Sequence, residues 1–286
     1  MAKFKNFLEK NVEYFPSRIT NKIYYHNFDS IINRLSLPYK DLIKIQNIKL
    51  EKLLYRASKL TFYRELNCDP NDLNSFPVLT KSSFIGKFEE IEVKNPFNIK
   101  TATSGSSGEP FIFSRHLNDI RKERLYVLRN FVRYGYRKGE MIGALRSFIP
   151  KRGEETIKIT SLQNIIWFSA YHLDNKNTKK YIEEIIKNKI RFMFSYPSSF
   201  YLLARYCIDN GVEIPNLRAV FLSSEKMLKE WYFIIKKAFP GAEIIDRYGT
   251  AELSNSFTFC SICNGYHINE DYGYTELIPT DNQNKK

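Results

Sequence analysis

The sequence predicts an α/β fold, a parallel sheet flanked by helices and preceded by N-terminal helices. Residues 190–252 alternate short apolar runs with amphipathic ones in the order strand, helix, strand, helix, strand. The strand cores are mostly apolar, as in a sheet covered on both faces. Residues 1–60 read as largely helical.

In that N-terminal stretch Leu50, Leu53, Leu54 and Ala57 recur at i, i+3, i+4 and i+7, a core-facing stripe. Asp69-Pro70-Asn71-Asp72 is a turn, and residues 76–83 connect to another short helix. Phe111-Ile112-Phe113-Ser114-Arg115 is a short apolar run and reads as a strand. Residues 119–134 predict a helix with Leu125, Leu128, Phe131 and Val132 on one face, and residues 141–148 a strand. Residues 191–196 are a buried-strand candidate. Pro197 suits the first turn of the next helix, which runs to Asn210-Gly211. Residues 217–222 form the second strand. Trp231, Ile234, Ile235, Ala238 and Phe239 make the stripe of the following helix, closed by Pro240-Gly241. Residues 243–248 are the third strand. The chain has no internal repeat. It divides into residues 1–90, a helical segment packed on the core, and residues 91–286, the α/β core.

A chain of 286 residues can bury a large core, and 43% hydrophobic with 15% aromatic residues mark it as globular. The net charge is +13, but lysine and arginine are dispersed among acids, as in Arg121-Lys122-Glu123-Arg124. That pattern is a solvated basic surface, and no nucleic-acid partner is expected. No apolar run approaches the ~20 residues of a transmembrane helix, and residues 1–8 lack a secretory signal, so a cytoplasmic location is expected. Four scattered cysteines do not make a disulfide framework.

The chemistry concentrates in two places. Thr103-Ser104-Gly105-Ser106-Ser107-Gly108-Glu109-Pro110 joins hydroxyl donors to glycines that allow close backbone approach, which suits a phosphate. A flexible loop has the same composition. No Gly-Lys-Ser/Thr follows and the next element is a strand, so this is not the loop of P-loop NTPases. The second place is the carboxyl ends of the parallel strands, where ligands of open sheets sit. Ser195-Tyr196-Pro197-Ser198, Ser223-Ser224-Glu225 and Tyr248-Gly249-Thr250-Ala251-Glu252 emerge there. An aromatic face can stack on a base, and a carboxylate can hold Mg²⁺ on phosphates. Glu252 would equally serve as an ordinary helix N-terminal or surface acid.

These two signatures, in this order and separation, resemble those of the adenylate-forming superfamily of acyl-CoA synthetases, luciferases and peptide-synthetase adenylation domains. Tyr134-Gly135-Tyr136-Arg137-Lys138-Gly139-Glu140, Tyr196-Pro197-Ser198-Ser199 and residues 266–277 are similar to the phenylacetate–CoA ligase branch, especially the CapK-like proteins of capsular polysaccharide biosynthesis. The resemblance covers roughly residues 40–279. It implies the large N-terminal domain of such an enzyme, with residues 91–286 an AMP-binding core. It also implies ATP-dependent adenylation of a small-molecule carboxylate, followed by thioester formation with coenzyme A. Residues Thr103, Ser104, Gly105, Ser106, Ser107 and Gly108 would then cradle phosphates. Ser223, Ser224, Glu225, Tyr248 and Gly249 would line the adenine pocket. Thr250 would lie beside the phosphate path, Glu252 would hold Mg²⁺, and His172 would sit near the acyl substrate.

Three departures accompany the resemblance. Phe111 stands where many members carry a loop lysine, and Ala251 where a hydroxyl is expected. The ribose-binding aspartate, hinge and C-terminal lid with its catalytic lysine are not found before Lys286. Activity impaired by truncation is therefore expected, or a lid supplied by a partner chain. The alternative is a non-catalytic ATP- or AMP-binding half-protein. Separately, Cys260, Cys263 and His267 have C-x₂-C-x₃-H spacing, which suits Zn²⁺ if Cys68, Cys207 or His172 adds a fourth ligand; free buried thiols are the other reading.

Overall fold

In a computed structural model of the chain, residues 24–102, 111–160, 163–260 and 264–277 are described. In chain order they form helices α1 (Phe28–Asn33), α2 (Tyr39–Ala57), α3 (Thr61–Glu65) and α4 (Phe88–Ile91), then strands β1 (Asn98–Ala102) and β2 (Ile112–His116). Next come α5 (Leu117–Val132), β3 (Ile142–Arg146), β4 (Ile157–Thr160), β5 (Ile165–Ser169) and α6 (Asn175–Lys187). The chain continues through β6 (Phe192–Ser195), α7 (Pro197–Asn210), β7 (Ala219–Ser223), α8 (Lys229–Ala238), β8 (Glu243–Gly249), β9 (Ser256–Cys260) and β10 (Gly265–Ile268). Two compact units share these elements. The first comprises residues 1–35, 118–248 and 258–265; the second comprises 36–117, 249–257 and 266–286.

The first unit carries the strand order β8-β7-β6-β3-β5-β4 of one sheet. Strands β5, β3, β6, β7 and β8 are parallel, and β4 closes the edge antiparallel to β5. Burial follows the two-residue period of a strand. Met193, Val220 and Leu222 face a cluster with Tyr181 and Ile185 of α6, Phe200 and Leu203 of α7, and Ile235 of α8. Phe192 and Phe221 face the other way, where the Phe131 ring of α5 lies 5.1 and 6.0 Å from theirs. Each fully buried side chain of this size contributes roughly 2 kcal/mol by leaving water. The alternation β6-α7-β7-α8-β8 is the one read from residues 190–252. Pro197 opens α7 at its first turn, and Gly211 closes it at φ 64°, a left-handed value that glycine adopts without strain. Helix α8 buries the expected stripe, with Ile235 and Phe239 inside and Tyr232 and Phe233 exposed.

In the second unit β1 and β2 pair antiparallel, so the run after Pro110 is a strand as expected. The Phe62, Phe84, Phe111 and Phe113 rings follow one another at 5.4, 5.7 and 5.4 Å. Helix α2 departs from its expected stripe. Leu53 is exposed, and the buried residues are Gln46 and Leu54, eight positions apart along the i, i+4 row. Leu53 lies about 100° around the helix from Leu54 and so misses that row. The buried Gln46 Nε2 donates to the Gly273 carbonyl at 3.0 Å, and the Lys49 ammonium donates to the Asp271 carbonyl.

Candidate active site at the carboxyl edge of the sheet

Four adjacent parallel strands of the first unit end on a polar residue. These are Arg146 on β3, Ser169 on β5, Ser195 on β6 and Ser223 on β7. The three serines are buried. A buried polar group needs a partner: Ser195 Oγ donates to the Tyr196 carbonyl at 3.0 Å, and Arg146 serves Ser223. Its Nη1 donates to the Ser195 carbonyl at 3.3 Å, the Ser223 carbonyl at 3.2 Å and Ser223 Oγ at 3.3 Å. Its Nη2 donates to Ser224 Oγ at 3.0 Å. The guanidinium also lies 4.2 Å from the Phe194 ring centre and 3.9 Å from that of Tyr196. Those two rings are two residues apart and share a sheet face. Arg146 thus ties β3, β6 and the turn after β7 together at the edge where a ligand would meet them. Burial pulls its pKa down to about 10; Tyr196 and Glu225 oppose the shift, while Arg124 and Arg247 add to it.

The residues assigned from sequence fall as follows. Ser223 ends β7, and Ser224 follows at φ 75°, a left-handed value uncommon for a residue with a side chain. Glu225 turns back, and its Oε2 accepts the Ser198 amide of α7 at 3.0 Å. Its carboxylate therefore meets the positive end of that helix. Tyr248 is 55% exposed, next to last on β8. His172 ends a 3-10 turn, and its Nδ1 lies 2.8 Å from Ser169 Oγ. Ser169 Oγ donates to the Phe148 carbonyl at 2.7 Å, so it accepts from Nδ1–H and leaves Nε2 of His172 as the basic nitrogen. These groups all belong to the first unit.

Gly249, Thr250 and Glu252 belong to the second unit. There Thr250 Oγ1 and Ser254 Oγ are 2.9 Å apart, and Glu252 is exposed. Thr103, Ser104, Gly105, Ser106, Ser107 and Gly108 lie outside the described residues, as does Cys263. Cys260 ends β9 and His267 lies on β10. Of the suggested fourth zinc ligands, Cys207 is in the apolar core of the first unit, where burial pushes its thiol up to about 12. Among the described residues no group of three or more His, Cys, Asp and Glu side chains is placed to hold a metal ion. No helix among them is long and apolar enough to cross a membrane. Arg146 was not singled out from sequence; its only signal is a charge closing the apolar run Ile142-Gly143-Ala144-Leu145.

No family model matches the chain. Its sequence is 25% identical to Protein CapK of Staphylococcus aureus over 229 residues, 74% of this chain and 51% of CapK. It therefore spans about half the length of that relative. Among solved structures it is similar to 2-hydroxyisobutyryl-CoA ligase in complex with 2-HIB-AMP and CoA in the thioesterification state. The TM-score is 0.61 at 18% identity, covering 80% of this chain and 54% of the ligase. An open conformation of the same ligase with 2-HIB-AMP and CoA gives a TM-score of 0.58 at 18% identity, covering 80% and 59%. The chain thus has the fold of part of an acyl-CoA ligase and resembles CapK in sequence, in keeping with the adenylate-forming superfamily that its two signatures resemble.

Proposed function

We propose that the chain is the nucleotide-binding part of an adenylate-forming acid–thiol ligase. The observation that carries this reading is the polar edge of the parallel sheet, where Arg146, Ser195, Ser223 and Tyr248 sit at the carboxyl ends of four neighbouring strands. In an acyl-CoA ligase fold that is where ligands of open sheets bind. In the proposed reaction an oxygen of the substrate carboxylate attacks the α-phosphorus of ATP. The bond to pyrophosphate breaks, and the acyl-adenylate forms. The thiol of coenzyme A then attacks the acyl carbon, loses its proton and expels AMP.

Each group has a physical part in that scheme. Tyr248, half out of the surface, offers a ring face for the adenine to stack on. Ser223 and Ser224 are held by Arg146 and present fixed dipoles at the base. By the sequence resemblance, residues 103–108 would supply amide and hydroxyl donors that offset charge on the leaving phosphates. In this reading Nε2 of His172, left as an acceptor by the Nδ1 contact to Ser169, serves the acyl side. The Glu252 carboxylate is exposed on an oxygen-rich turn with Thr250 and Ser254; that donor set suits Mg²⁺, which when bound neutralises phosphate charge.

Calorimetric titration of the chain with ATP·Mg²⁺, beside a pyrophosphate-release assay with a panel of carboxylic acids, tests the reading. Saturable binding that weakens about tenfold or more in Tyr248→Ala is expected from loss of base stacking. Absence of binding by the wild-type chain would overturn it. Binding without pyrophosphate release would leave a nucleotide-binding half-protein.

A further inference from the structure

Beside Arg146 on the first unit is a cleft of about 330 Å³, lined by Arg124, Ser147, Phe148, Lys158, Thr160, Gln163 and Trp167. None of these residues belongs to the nucleotide or acyl assignments above. The lining contains two cations and no acid. The Arg124 guanidinium lies 4.7 Å from the Trp167 ring centre. Trp167 is itself fixed, because its Nε1–H donates to Thr160 Oγ1 at 3.1 Å, and that hydroxyl donates to the Ile165 carbonyl at 3.2 Å.

Glu123, next to Arg124, is occupied by Arg247 at 2.5 Å. Among the described residues the side chains of Arg124, Lys158, Ser147 and Gln163 make no hydrogen bond or ion pair. A half-buried guanidinium without a direct ion pair is costly to the fold. Burial lowers its pKa, with Tyr24 and Glu123 acting against the shift. Arg146 adds a third positive charge to the same neighbourhood. Charge of one sign in a cleft with low-dielectric walls concentrates ions of the other sign.

We propose that this cleft binds a small organic anion. Its carboxylate or phosphate head meets Arg124 and Lys158, and its body lies on the Phe148 and Trp167 rings. The volume exceeds that of a bare inorganic ion and falls at the small end of ligand pockets. Ser147 and Gln163 add neutral donors for the head. The inference does not rest on the adenylation reading, because its test contains neither ATP nor Mg²⁺.

The chain has two tryptophans, Trp167 and Trp231, so Trp231→Phe leaves Trp167 as the only indole reporter. Trp231 stacks on Tyr201 at 5.7 Å, away from the cleft lining, and phenylalanine keeps a ring there. In that background benzyl phosphate, benzoate and neutral benzyl alcohol are titrated at fixed ionic strength while Trp167 emission is followed. A saturable change with at least one of the two anions is expected, and the tighter one identifies the head. Benzyl alcohol should bind about tenfold or more weakly. Arg124→Gln and Lys158→Gln should each weaken anion binding about tenfold, the worth of one charge-assisted hydrogen bond, and Arg124→Lys should retain most of it. Lys158 is exposed, so Lys158→Gln reads binding without risk to the fold. No saturable change with either anion up to about 10 mM, equal affinity for benzyl alcohol, or Lys158→Gln binding as the parent does would each overturn the proposal.

Discussion

Arg146 is the side chain around which the polar edge is organised. Its planar fork reaches two carbonyls and two hydroxyls at once, while two rings flank its carbon centre. Lysine would keep the charge but has a single nitrogen and no flat face. Arg146→Lys should therefore lower stability by about 1–3 kcal/mol, the range for losing hydrogen bonds from a largely buried charged group. The midpoint of urea unfolding reads this directly, and an unchanged midpoint would mean that water replaces the lost bonds without cost. The same variant should loosen the turn at Ser224, whose left-handed backbone is held through its hydroxyl. Nothing in the sequence around Arg146 foretells this, because its partners come from strands 49 and 77 residues away. The strand-end segments at Ser195, Ser223 and Tyr248 were legible, since each follows an apolar run and precedes a turn or helix start.

Among the elements, legibility tracks burial and punctuation. The β6-to-β8 stretch is readable because buried strands give continuous apolar runs and Pro197, Gly211 and Pro240-Gly241 mark the helix ends. Strands β1, β4, β9 and β10 escape notice. They are four or five residues long, and most of their positions are only partly buried. Helix α6 was missed although its signal is present. Thr178, Tyr181, Ile182 and Ile185 form its buried face, and Asp174 caps it by accepting the Asn177 amide at 2.7 Å. That bond, aided by the Asn177 side chain, holds the Asp174 carboxyl below its ordinary value near 3.8. The capping contribution is thus complete above that value and is lost as pH falls through the lowered one. Asp174→Ala should reduce the thermal midpoint at pH 7, and the gap from wild type should close under strongly acid conditions. A gap independent of pH would assign the loss to something other than the charged cap.

At the level of the whole molecule, alkaline conditions probe the core of the first unit. Burial pushes the Cys207 thiol and the Tyr24 phenol each up to about 12, from ordinary values of 9 and 10. The unfolded chain releases these protons earlier than the folded one. Their contribution to stability is therefore intact below about pH 9 and is lost progressively toward pH 12. The thermal midpoint should fall over that range, and Cys207→Val should flatten the first part of the fall. Native Cys207 should also resist a thiol reagent near neutral pH, since its thiolate is scarce and the residue is 2% exposed. Rapid labelling without unfolding would contradict the placement of Cys207 in the core. The division of the chain carries one last consequence. Each unit is stitched from three separate stretches of sequence, and the chain passes between them at residues 35, 117, 248, 257 and 265. No single cleavage releases either unit as one uninterrupted peptide. A gene fragment that holds either unit whole also carries most of the other, so the two units have to be made together.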